Sequence, residues 1–238
     1  MAWFPQPLWS DGMNRIVMAV AAVVGLAAVA EAHFVYVVPT TDGKGVQVVF
    51  SDTLGPDKSV PITKVAGTKL TLRAGGKDTP LKAEQVENYL AAAAPGDGVR
   101  VVFGHTDYGV VQKGDNKPFR LHYHPKAVLG DPFARDATVG NEAAVEVVPV
   151  RDGGGVKFLV LAGGKALPDA EVFLRKPGAE KSETVKTDAT GHTPACAEAG
   201  RYAVVARKLD TASGEHGGKK YEEERRYATL VVDVPKAK

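Results

Sequence analysis

Phe119-Arg120-Leu121-His122-Tyr123-His124 alternates residue by residue between large apolar and polar side chains. Alternation with a period of two is the mark of an extended strand with one buried and one wet face. Phe119, Leu121 and Tyr123 therefore belong to a core. His122 and His124 project together from the opposite face beside Arg120.

The rest of the chain follows the same pattern. Short Val-rich runs at Phe34–Val38, Val46–Phe50, Lys69–Arg73, Val99–Phe103, Gly109–Gln112 and Val145–Val150 are separated by Gly, Pro, Asp and Asn. Turn signals stand at Asp42-Gly43, Gly75-Gly76, Gly96-Asp97-Gly98 and Gly114-Asp115-Asn116, spaced as in a β-sandwich. Leu90–Ala94 reads as a helical turn stopped by Pro95-Gly96, and Pro61–Lys64 as another single turn. Arg151-Asp152-Gly153-Gly154-Gly155 reads as a linker. After it come the apolar strand Val156–Leu161 and a long hairpin, Arg201–Lys208 returning as Tyr227–Val234, with a Gly-rich tip at Ser213–Gly218. The expected fold class is all-β: two β-sandwich domains, immunoglobulin-like or transthyretin-like, at residues 33–150 and 156–238, joined at 151–155.

Residues 1–32 read as a signal peptide. Ile16–Ala30 is an apolar run behind Arg15 and ahead of the small-x-small site Ala30-Glu31-Ala32, shorter than the roughly 20 residues of a membrane span. Met13, followed by Asn14-Arg15, is a more ordinary start than Met1. No later run is long enough to cross a membrane as a helix, and cleavage ahead of His33 rather than a Cys argues against a lipid anchor. The expected product is periplasmic or secreted. Removing Asp11, Arg15 and Glu31 leaves 29 Lys and Arg against 26 Asp and Glu, a net charge of +3, too balanced for nucleic-acid binding. The single Cys196 has no internal disulfide partner and reads as a small buried hydrophobe.

Cleavage after Ala32 would give His33 a free α-amine beside its imidazole, a two-nitrogen chelate. The six histidines are His33, His105, His122, His124, His192 and His216. His33 and His124 are the first expected metal ligands and His122 the next. His105 at a strand end and His216 in the hairpin tip are weaker candidates. His192 reads as a turn residue. Imidazole suits several first-row ions, so the spacing does not select one. An amine-plus-imidazole brace with strand histidines suits Cu(II) or Ni(II). Catalytic signatures are missing: there is no G-x-S-x-G, no H-E-x-x-H and no phosphate-binding glycine loop. A non-enzyme is expected. Tyr36, Tyr108 and Tyr123 read as core or interface aromatics.

Two resemblances add to this reading. The string Gly164-Lys165-Ala166-Leu167-Pro168-Asp169-Ala170-Glu171-Val172, then Thr187-Asp188-Ala189-Thr190-Gly191, then Gly200-Arg201-Tyr202, resembles small transthyretin-like or carboxypeptidase-regulatory-like sandwiches, which implies a fold and no chemistry. Ala32-His33-Phe34-Val35, Val101-Val102-Phe103-Gly104, Asp107-Tyr108-Gly109-Val110, Tyr123-His124-Pro125-Lys126, Gly214-Glu215-His216-Gly217-Gly218 and Tyr227-Ala228-Thr229-Leu230 together resemble exported bacterial proteins labelled nickel-uptake-associated, NikM-like and periplasmic. That resemblance implies binding of nickel or copper for uptake, storage or delivery, with a membrane metal transporter or an envelope protein as partner. Two other readings stay open: a non-catalytic adhesion or scaffold module of the cell envelope, and a copper-dependent oxidase.

Overall fold

The Phe119–His124 segment lies near the middle of the widest sheet in the molecule. The structure, a computed structural model, describes Met1 and residues 33–236. The expected signal segment and its cleavage point therefore lie outside the described residues. In chain order the strands are β1 Phe34–Pro39, β2 Gly45–Ser51, β3 Lys69–Ala74, β4 Lys77–Leu81, β5 Glu84–Val86, β6 Tyr89–Ala93, β7 Arg100–Val111, β8 Phe119–Leu129, β9 Val145–Asp152, β10 Gly155–Ala162, β11 Lys165–Ala166, β12 Glu171–Arg175, β13 Glu183–Lys186, β14 Gly200–Asp210, β15 Gly214–His216, β16 Lys219–Tyr221 and β17 Glu223–Val234. Among the described residues helix is confined to short 3₁₀ turns, and none is long and apolar enough to cross a membrane. The chain is mostly β, as its alternating pattern requires.

An eight-stranded sheet in the order β13-β12-β14-β17-β8-β7-β3-β4 forms the centre, with β17 and β8 parallel. Its two faces are covered by different partners. On one face Leu121, Tyr123, Ala127 and Val102 pack with Val35, Val48 and Leu90 of the sheet β1-β2-β6-β5. Ala203, Val205 and Val231 of the same face meet Tyr36 and Val49. On the other face Val101, Val128, Val204, Leu230 and Val232 pack with Val147, Phe158 and Val160 of the sheet β11-β10-β9. Phe158 and Tyr202 are fully buried there with ring centroids 5.4 Å apart. Burying a ring of this size is worth about 2–3 kcal/mol.

Several sequence expectations change in this setting. The stretch read as a linker is the end of β9, the two-residue turn Gly153-Gly154 and the start of β10, all within one antiparallel hairpin. The central sheet draws β3, β4, β7 and β8 from the first half of the chain and β12, β13, β14 and β17 from the second. The described residues from His33 onward belong to one compact unit, so residues 151–155 do not mark a break between two separate bodies. Leu90–Ala94, read as a helical turn, is largely β6, whose backbone pairs with both β2 and β5; pairing overrides the helix preference of its alanines. Val99–Phe103 and Gly109–Gln112 are parts of one long strand, β7, interrupted by a bulge between Asp107 and Gly109. The expected turn at Pro61–Lys64 is a 3₁₀ turn over Ile62–Val65, and Cys196 is buried.

Candidate functional site

Along β8 the residues facing the β9–β10 layer run Val128, Lys126, His124, His122, Arg120. This is a gradient from core hydrophobe through a buried cation and two imidazoles to a guanidinium. The neighbouring strands show the same gradient. On β17 it runs Val232, Leu230, Ala228, Arg226, with Arg226 opposite His122 and Ala228 opposite His124. On β14 it runs Val204, Ala206, Lys208, with Lys208 opposite Arg226. The β9–β10 layer covers only the apolar end of this face, and the polar end is left as a shelf.

Cross-strand register brings a third histidine onto the shelf. β7 pairs with β8 so that Asp107 stands opposite His122 and Phe103 opposite Lys126, which sets His105 between them on the same face. Its Nε2 lies 3.2 Å from His122 Nδ1. Its ring stacks on both neighbours, with centroids 5.4 Å from His122 and 5.1 Å from His124. His122 is buried, His124 partly buried and His105 open to solvent. His124 Nε2 is shielded from solvent with no hydrogen-bond partner among the described residues. Burial lowers the pKa of all three. For His124, burial, with the nearby His105, His122 and Arg226 adding repulsion, brings it to about 3. All three rings are therefore neutral at pH 7, the protonation state of a metal ligand. Among the described residues no group of three or more His, Cys, Asp or Glu side chains stands ready-made to hold a metal ion; the rings stack instead of pointing their nitrogens at one centre.

Below His124 the shelf ends in a buried ion pair. Lys126 Nζ donates to Glu146 Oε1 at 2.5 Å and to the Ala137 carbonyl at 3.1 Å. Glu146 also accepts from the Val139 and Gly140 amides at 2.7 and 2.9 Å. Both side chains are almost fully enclosed, and burial pushes the Lys126 ammonium below its usual pKa against the pull of Glu146. An open pocket of about 380 Å³ connects this pair to the histidines, walled by Phe103, His105 and His124 on one side and Val139, Ala144 and Glu146 on the other.

The remaining expected site residues lie elsewhere or at the rim. His216, on the β15–β16 hairpin, places Nε2 3.6 Å from Asp107 Oδ2. Asp107 Oδ1 in turn lies 3.9 Å from His122 Nδ1, so His216 is linked to the cluster through a carboxylate. His33 is not brought to it. Its Nε2 bonds Asp57 Oδ2 at 2.6 Å, and its carbonyl accepts from Tyr123 Oη at 3.1 Å. Tyr123 points to the face of β8 opposite His122 and His124, so the central sheet stands between His33 and the cluster. Hydrogen bonds from Ser59 and His33 hold the Asp57 carboxyl down at about 2. The free amine expected at His33 depends on a cut after Ala32, outside the described residues. His192 closes the Asp188 turn, its amide donating to Asp188 Oδ1 at 3.0 Å.

Arg120, which alternation already sets beside His122 and His124, completes the site together with Asp107, Lys126 and Glu146, which carry no site role in the sequence analysis. Asp107 had a signal: it lies two residues after His105 in a strand, hence on the same face.

No protein-family model matches the chain, and no curated protein matches it in sequence. The chemistry of the shelf is therefore the basis for any functional reading.

Proposed function

We propose that the protein binds a first-row transition metal ion, nickel or copper, for uptake, storage or delivery, through His105, His122 and His124. The observation that supports this most is the approach of His105 Nε2 to His122 Nδ1 at 3.2 Å. Two nitrogens bound to one ion at about 2.0–2.1 Å stand roughly 3 Å apart; this pair is held near that distance by a hydrogen bond, and both rings turn and the shared proton leaves when an ion takes its place. His124 supplies the third nitrogen after rotation about χ2, a torsion with a broad, soft profile in histidine. Its unpartnered Nε2 loses no hydrogen bond by turning. The ion approaches through the open pocket and from the exposed edge of His105.

The chain's resemblance to NikM-like periplasmic proteins, and a signal peptide at residues 1–32, belong to the same reading. So does the transthyretin-like character of residues 156–238. A membrane metal transporter or another envelope protein is the expected recipient of the ion. His33 stays outside this ligand set because its ring is engaged by Asp57 on the far side of the sheet.

Calorimetric titration of Ni(II) and Cu(II) tests the proposal. The protein beginning at His33, and a control keeping one Ala ahead of it, should bind with equal affinity, while His122→Ala should abolish binding. Undiminished binding by His122→Ala refutes the histidine cluster as the site. Loss of binding in the control alone returns the site to the N-terminal amine. Absence of binding by every form favours a non-catalytic envelope module.

A further inference from the structure

The pocket beside the histidines carries chemistry that an ion would leave unused. β3 pairs with β7 so that Lys69 stands opposite His105 and Thr71 opposite Phe103. Residues directly opposite each other in a sheet share a face, so these four side chains form a square across two strands, and all four line the pocket. The facing wall, around the start of β9, is largely aliphatic, with Val139, Ala143, Val145 and Val147. Its volume of about 380 Å³ falls within the roughly 300–1,000 Å³ of small-molecule sites. Phe103 is only partly buried at the margin of the core, so an aromatic surface is left open to whatever enters.

The charges around this space neutralise one another, with one exception. Lys126 and Glu146 form their enclosed pair. Glu142, at the rim, accepts from Arg73 at 3.1 Å, and Arg73 also bonds Asp78 at 2.7 Å while its guanidinium stands 5.4 Å from the Phe103 ring centroid. Lys69 is exposed and makes no ion pair among the described residues. The Thr71 hydroxyl makes no hydrogen bond among them either. An ammonium and a hydroxyl, two residues apart on one face of β3, thus stand free beside an apolar space. A carboxylate has two oxygens that accept from such a pair, and the bond to the ammonium is charge-assisted.

We infer that the pocket binds a small organic acid, with its carboxylate on Lys69 and Thr71 and its apolar body between Phe103 and the valines at the start of β9. The apolar body supplies affinity by leaving water, and the free ammonium selects the acid over a neutral molecule of the same shape. No metal ion takes part, so the inference holds or fails independently of the metal-binding reading.

The test titrates benzoate and hexanoate, with benzamide as the neutral counterpart of benzoate, into the protein in the presence of a chelator, following backbone amide shifts by NMR. Both acids should bind saturably with a dissociation constant of about 1 mM or below, and the shifts should centre on β3, the Gly104 region of β7 and residues 139–147. Benzamide should bind roughly five- to tenfold more weakly than benzoate. Lys69→Gln, at an exposed position, should weaken benzoate by a similar factor and leave benzamide unchanged. Thr71→Val should weaken benzoate several-fold. His122→Ala should bind benzoate like the parent, which separates this site from the metal site. Shifts that do not saturate or that centre elsewhere, benzamide binding as tightly as benzoate, or undiminished benzoate binding by Lys69→Gln would each overturn the inference. If the parent binds benzoate in this pattern and neither Ni(II) nor Cu(II), the metal reading falls and the acid site stands.

Discussion

Acidification from pH 7 to pH 5 should destabilise the metal-free protein through His124. An unfolded histidine titrates near 6.5, whereas folded His124 titrates at about 3 because burial disfavours its charged form. Between those values the unfolded state holds one more proton than the folded state, so stability falls as pH falls. The neutral ring costs nothing extra above pH 6.5, and the loss is complete only below pH 3. At pH 5 the gap of about 1.5 units, at 1.36 kcal/mol per unit, removes roughly 2 kcal/mol. Asp57 and Asp188, both held down at about 2, do not titrate in this window. His105 and His122 are shifted in the same direction and add to the loss. The assay is urea unfolding in the presence of a chelator at both pH values, for the parent and His124→Leu. With a slope of about 2 kcal/mol per molar urea, the parent midpoint should drop by about 1 M or more. The variant should drop clearly less, because it keeps only the His105 and His122 contributions. Equal drops in parent and variant would refute the assignment of acid sensitivity to partly buried, neutral His124.

The same lowering bears on the proposed metal binding. If His124 is a ligand, its imidazole stays neutral at pH 5.5, so affinity for Ni(II) or Cu(II) should fall less between pH 7.5 and 5.5 than the roughly tenfold per imidazole expected of ligands titrating near 6.5, which calorimetry at the two pH values distinguishes. Lys126→Met leaves the Glu146 carboxylate buried without its cation and should cost about 3–5 kcal/mol in urea unfolding, with Lys126→Met/Glu146→Gln recovering a large part. Gly104→Ala would place a Cβ 2.5 Å from the Lys69 carbonyl oxygen and 2.9 Å from Leu70 Cδ2. It should destabilise by about 1–3 kcal/mol by forcing β3 away from β7, and metal affinity should fall with it because His105 is the next residue.

What could be read directly from the chain were the features with a local cause. Alternation places His122 and His124 on one face whatever surrounds the strand, and turn residues mark where strands stop. The joining of His105 to that pair depends on the register of β7 against β8 across a bulge, which no local pattern encodes. Lys126 shows the opposite limit. Alternation puts it on the face of His124, which reads as wet, but β9 comes down over that end and encloses it with Glu146. The division at residues 151–155 was inferred from a glycine run that suits a hairpin turn equally well. The parallel pairing of β17 with β8, between segments about a hundred residues apart, is what joins the two halves and is invisible to any short window.

That pairing also orders events in time. β17 is the last strand of the described residues, yet it sits in the interior of the central sheet, between β14 and β8. Until its residues have emerged from the ribosome or crossed a membrane, β8 has no neighbour on that side and the shelf has no Arg226 or Ala228 beside the histidines. Contacts this distant in sequence form slowly because a long loop must close first. The surroundings of the histidine cluster are thus complete only once β17 has paired with β8, although the three histidines themselves come together when β7 and β8 pair.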